Sequence, residues 1–167
     1  IDGNGHRTEI EFDKNNRFVV VRDPLGNATT YEYDRRGNVK SITDPLLKTA
    51  DFEYERNDRL RFERAPAVDV YSDGVLTTNV RPVKETVYDA AGNVVQVIDA
   101  NGNKTTRWYD GNRDMIAELD GANVLRRFEY SATGKVVKET LFMGFLNDTD
   151  HVPGNPAPAG VGDERVK

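Results

Sequence analysis

The sequence contains no cysteine, two histidines and one tryptophan. Without cysteine there can be no disulfides, no thiolate nucleophile and no cysteine-bound zinc. The histidines, His6 and His151, lie far apart with no third ligand spaced near either, so both are expected at the surface and not in a metal centre or acting as a base. Nowhere do 18 apolar residues run together, which excludes a membrane-spanning helix. The opening IDGNGHRTEIEF lacks the charged start and apolar stretch of a signal peptide. Blocks of one charge sign are missing too: 23 basic and 28 acidic residues are interspersed to a net charge of -5. That surface is well solvated and has no clustered cations to meet a nucleic acid. A length of 167 residues predicts one compact unit, and a start on Ile1 suggests a processed product or an excerpt from a longer polypeptide.

What is present is a period. Phe12, Tyr33 and Tyr54 are spaced by 21 residues, and so are Tyr88, Tyr109 and Tyr130. Asp2, Asp23 and Asp44 keep the same step, as do Asp99 and Asp120. The step from Tyr54 to Tyr88 is 34, one period plus 13. Six units are therefore expected, with an insertion at about 65–77 between the third and fourth. Within a unit, runs rich in β-branched and aromatic residues, such as ATTYEYD and VKSIT, are bounded by Asp, Pro, Gly and Asn. Each unit thus predicts a two-stranded hairpin. Gly37 and Gly92 suit the positive φ of a tight turn, and Asn38 and Asn93 would tolerate it.

Aligned by the period, the Tyr column and the Ile10, Tyr31, Phe52 column two residues before it share one face. Glu11, Glu32, Glu53 and Glu129 fall on the other. One apolar and one mostly wet face are expected. Val87, Trp108 and the VVQVI run at 94–98 break the pattern, so units four and five are expected to be covered on both sides. The predicted fold is all-β: six tandem 21-residue hairpins in a curved antiparallel sheet, a segment of a shell or spiral strip, with one inserted hairpin. A sheet that wide must twist and curl.

The stretches DPLGNATTYEYDRRGNVKSIT and YDAAGNVVQVIDANGNKTTRWYD resemble the YD repeat of bacterial RHS proteins. The same repeat occurs in the C component of insecticidal Tc toxins and in animal teneurins, and the resemblance covers about residues 2–140. It implies hairpins joined into a strip that spirals into a hollow β-shell, holding a toxic cargo in RHS and Tc proteins or serving adhesion in teneurins. It also implies a secreted or cell-surface bacterial location, and as partners the rest of a longer chain or copies of this one. Six units are too few to close a large shell. The family's self-cleavage motif, Asp-Pro-x-Gly, has a counterpart at Asp23 to Gly26, but at an ordinary turn position and followed by Asn27 instead of a large apolar residue. It is read as a turn.

The remaining motifs have structural readings. Asp99, Asn101 and Asn103 mimic half a calcium loop, but Lys104 and Asp110 stand where Gly and a bidentate Glu are required. Ser41, Ser72 and Ser131 lack a nucleophile context, and the glutamates recur with the period as a solvated face would. No catalytic, cofactor or metal residue is assigned, and the chain is read as a non-enzymatic scaffold. The alternative is a carbohydrate-binding or cell-surface adhesion module using exposed aromatics, with Trp108 and Arg107 as the ligand contacts. In the insertion, Asp73-Gly74 between VDVY and VLTT is a strong hairpin signal, and Val70, Tyr71, Val75 and Leu76 are candidate partner contacts. After residue 140 the period fades, and 141–167 is expected to be an irregular Pro, Gly and Ala-rich tail or linker, with LFMGFL at 141–146 either a strand or an apolar anchor.

Overall fold

The computed structural model describes residues 7–143 and 163–166. His6, His151 and most of the expected tail lie outside the described residues. The chain divides into two compact units, Ile1–Val83 and Lys84–Lys167, where length alone predicts one.

All described elements are strands. The first unit is an antiparallel meander of β1 (Glu9–Phe12), β2 (Phe18–Arg22), β3 (Ala28–Tyr33), β4 (Val39–Thr43), β5 (Thr49–Tyr54) and β6 (Leu60–Arg64), each paired with the next. A separate ribbon follows, formed by β7 (Val68–Ser72) and β8 (Val75–Val80). The second unit repeats the meander with β9 (Val83–Tyr88), β10 (Val94–Ile98), β11 (Lys104–Tyr109), β12 (Met115–Leu119), β13 (Val124–Tyr130) and β14 (Val136–Met143). Here β14 runs three residues past the expected end of the repeats, and β15 (Asp163–Val166) lies antiparallel along Thr140 to Met143. The tandem hairpins are those the period predicts. The inserted hairpin spans 68–80, somewhat later than 65–77.

One five-residue turn closes every joint between consecutive strands of β1–β6 and of β9–β14. In ten turns the first residue's N–H donates to the carbonyl of the fifth, and the fourth residue's N–H donates back to the carbonyl of the first. The fourth position has positive φ each time, from Gly37 at 99° down to Asp58 at 59°, with Leu47 at 61° and Arg113 at 71° between them. Where the first residue is Asp, its carboxylate clamps the loop. In the Asp23 turn, Oδ1 accepts from the N–H groups of Leu25 and Asn27, and Oδ2 accepts from Asn27 Nδ2 at 2.7 Å. Asn38 and Asn93 are therefore not left-handed residues, as the sequence suggested. Their amides tie down Asp34 and Asp89 through Oδ2, at 3.2 and 2.8 Å. In the two turns where Arg takes the place of Asn, an ion pair takes over, Asp13 with Arg17 and Glu55 with Arg59.

A β-bulge recurs in all six repeat hairpins. Glu32 pairs with Ser41 and Tyr33 with Val39, which leaves Lys40 as the extra residue. Val19, Arg61, Val95, Ile116 and Val137 are its counterparts. Alternating faces would otherwise come back into step only after an even number of residues, so the bulge is what makes a period of 21 possible. The ladders are also staggered. Val20 pairs with Thr30 and Thr30 with Thr43, two residues beyond Ser41, the periodic counterpart of Val20. Gln96, Thr106 and Leu119 repeat the same offset against Ala117.

The tyrosines stitch neighbouring hairpins together. Tyr33, Tyr109 and Tyr130 each donate a hydroxyl to the carbonyl 15 residues back, on Phe18, Val94 and Met115, at 2.9, 3.0 and 2.9 Å. Their face is only half-buried. The buried core sits on the opposite face, in the second unit, where Trp108 pairs with Ala117 and Leu119 with Leu125. That is the face expected to be mostly wet. In this unit Val87 and Trp108 stand where the first unit carries Glu11, Glu32 and Glu53, and the Leu119–Leu125 pair where it carries Arg22–Ala28 and Thr43–Thr49.

Candidate interaction surfaces

The expected ligand contacts are not accessible as a platform. Trp108 is 8% exposed, so its ring offers no open face for a sugar to stack on. Arg107 Nε donates to Glu118 at 2.9 Å, and Glu118 also receives Arg126, which reaches Asp120. The guanidinium is committed to a cross-strand network on the face opposite the indole. The two residues are neighbours in sequence but do not form one site.

The other stretches that drew notice are absorbed by the turn. Asp23 to Asn27 folds as the ordinary joint. Asp99 spends its carboxylate on the N–H groups of Asn101 and Asn103 and on Asn103 Nδ2. Hydrogen bonds lower the pKa of Asp13, led by the Arg17 side chain, and of Asp23 and Asp99, led by Asn27 and Asn103. For Asp34 and Asp89 burial pushes upward, and the Asn38 and Asn93 bonds outweigh it. Burial raises the hydroxyls of Tyr54, Tyr109 and Tyr130. These shifts follow turns and stitches and do not converge on a cleft. Two shallow recesses, of about 310 and about 390 Å³, have their facing charges matched, Lys138 to Glu129 and Arg64 to Glu53, each at 2.9 Å.

The inserted hairpin is built as expected. Asp73 and Gly74 have φ of 51° and 79°, the doubly left-handed two-residue turn that Asp-Gly favours. Its apolar side chains stand out in solvent, with Tyr71 73% exposed, and Val70, Val75 and Leu76 exposed as well. Its root is tied by a residue that sequence reasoning missed. The Arg81 guanidinium donates to Asp51 Oδ2 at 2.6 Å and to the carbonyls of Thr49 and Ala65, while Ala65 N–H donates to the Pro82 carbonyl. The ribbon therefore leaves from the end of the first unit where β6 finishes and β5 starts. Leu25, Leu46 and Leu47 also sit at that end, in the turns between hairpins, and were likewise missed. The available signal was large apolar residues at turn positions where polar ones are the rule.

A family model described as the RHS repeat matches residues 12–49 and 88–142, more than half of the chain. None of the curated proteins compared with it matches. Among solved structures, a mutant Tc holotoxin pore of Photorhabdus luminescens is similar at 14% identity and a TM-score of 0.45, covering 81% of this chain and 9% of that one. The TcdB2–TccC3–Cdc42 complex aligns at 11% identity and a TM-score of 0.32, over 81% and 10%. TcdB2–TccC3 without its hypervariable C-terminal region aligns at 11% and 0.31, over 88% and 10%. The chain spans about a tenth of the length of these chains.

Proposed function

This chain belongs to the RHS-repeat family, and from that premise we propose that it is a non-enzymatic structural scaffold, a stretch of wall in a hollow β-shell that encloses an effector cargo. Its partner in that reading is the remainder of a longer chain of the same repeats, in a bacterial assembly that is secreted or held at the cell surface. The observation carrying the proposal is the sameness of the joints. One turn, one bulge and one stagger recur through hairpins whose side chains otherwise differ. A catalytic domain would single out one place, whereas these residues make each hairpin a template for the next. The stagger also supports a curved wall. Two residues per hairpin is about 7 Å along the strands, and a sheet sheared in this way curls with its strands tilted to the axis.

Small-angle scattering of the purified chain tests the wall. A curved plate one sheet thick is expected, and two stacked sheets or a flat ribbon would overturn the reading. Enclosure is tested in the longer polypeptide with an added protease. Cleavage should begin at surface turns and spare the enclosed segment until the repeats unfold. Digestion of that segment at its free rate, with the repeats intact, would refute the cargo role.

A further inference from the structure

The end of the first unit that carries the turns between hairpins is unusual in what it exposes. Leu25, Leu46 and Leu47 stand 87%, 76% and 84% exposed there, and the inserted ribbon leaves from the same end with Tyr71, Val75 and Leu76 exposed. The corresponding turns of the second unit read Ala100, Asn101, Gly102 and Gly121, Ala122, Asn123. Opposite, the turns within the first unit's hairpins expose Lys14, Asn15, Arg35, Arg36 and Arg56. Among the described residues, every large apolar side chain more than 70% exposed lies in these turns or in the ribbon; at the opposite turns Phe12 and Phe18 reach only 55% and 42%. Leu47 holds φ at 61°, a conformation that disfavours a branched side chain and that glycine fills in the Asp23 and Asp99 turns. A strained leucine kept in solvent gives the isolated chain nothing.

We infer that this rim is a docking surface for a second copy of the chain, with the β7–β8 ribbon of each copy packed on the turn leucines of the other. Three observations select that occupant. Tyr71 and Leu76 stand opposite one another across the ribbon and share one face, and with the three leucines they expose on the order of 700 Å², close to the roughly 800 Å² each partner contributes to a standard interface. The ribbon carries Asp69 in β7 and Asp73 in its turn and no cation, while Lys48, beside Leu47, is exposed and has no acidic partner among the described residues. Both halves of the contact lie on one molecule, so a two-fold axis makes it twice. A two-stranded ribbon, marginal alone in water, gains its cover by the same step. The inference stands apart from the cargo reading and would survive its failure.

The test is sedimentation equilibrium of the whole chain from about 1 μM to about 1 mM, with Leu47→Gly and Tyr71→Ser beside the parent. Glycine suits the backbone at 47 and position 71 is solvent-exposed, so both variants keep the fold. The parent is expected to dimerise, and each variant to weaken the dimer about tenfold or more without losing thermal stability. A mixture of the two variants keeps one intact contact and should associate more tightly than Leu47→Gly, Tyr71→Ser combined. A parent monomeric throughout, or a dimer that neither variant weakens, would overturn the inference, the latter by placing the contact elsewhere, as at the free edge of β1.

Discussion

The two units run the same repeat through the same turns and bulges, yet every buried hydrophobic residue among the described ones, Trp108, Ala117, Leu119 and Leu125, lies in the second. On the same face of the first unit stand Glu11, Glu32 and Glu53, paired with Arg22, Lys40 and Arg64. Those pairs are a third to two-thirds exposed, and such pairs contribute about 1 kcal/mol or less each. The comparison teaches that this fold is written in its joints. Carboxylate-clamped turns and backbone ladders set the architecture, and the face between them is free to carry ion pairs or a core.

Core substitution should separate the units most sharply. Leu119→Ala removes a fully buried side chain and is expected to cost about 2–5 kcal/mol, whereas Glu32→Ala should cost under about 1 kcal/mol. Urea midpoints for the two variants check this, and equal losses would break the comparison.

Acid should act in the other direction. The lowered carboxyls of Asp13, Asp23 and Asp34 lie in the first unit, and those of Asp89 and Asp99 in the second. A carboxyl depressed by folding contributes stability that is fully present above its ordinary value of 3.8 and is lost as pH falls through the lower folded value. The first unit, clamped by more of these turns and without an apolar core, should open first below that pH. Hydrogen exchange followed segment by segment would show it, and simultaneous opening would count against the assignment.

Turn chemistry comes next in size. Leu47→Gly and Arg113→Gly relieve left-handed side chains and should each stabilise by about 1 kcal/mol. Asp114 occupies the place where Asn93 and Asn103 bond their aspartates, and it faces Asp110 instead. Asp114→Asn should therefore raise the melting temperature, and a fall would show that the like charges are offset by something else.

These effects mark what could be read in advance. The hairpins were legible because strand alternation and turn residues both keep the 21-residue step, and the inserted ribbon because Asp73-Gly74 admits one tight turn. The bulge was not, since a period divides into strands and turns of several lengths that sum alike, and only the pairing of Glu32 with Ser41 and Tyr33 with Val39 exposes the extra Lys40. The buried face was misjudged because glutamate dominates its column in four of six repeats. Burial of Trp108 depends on Ala117 across the ladder, a register that spacing within one strand does not contain. The leucines of the docking rim went unnoticed because Pro-Leu in a turn reads as turn.

The smallest effect tests whether the stitch is common to both units. Tyr109→Phe deletes a part-buried hydroxyl bonded to the Val94 carbonyl and should cost about 1 kcal/mol. The same change at Tyr33, whose bond to Phe18 is exposed, leaves a carbonyl that water can satisfy, and should cost less. Position 12 already holds Phe in the first repeat, so the ring fits the site without its oxygen. Equal costs at 33 and 109 would mean that the hydroxyl acts through the shared backbone geometry, independent of burial. A larger cost at 109 means that the second unit's core reaches through the sheet and dries the opposite face as well.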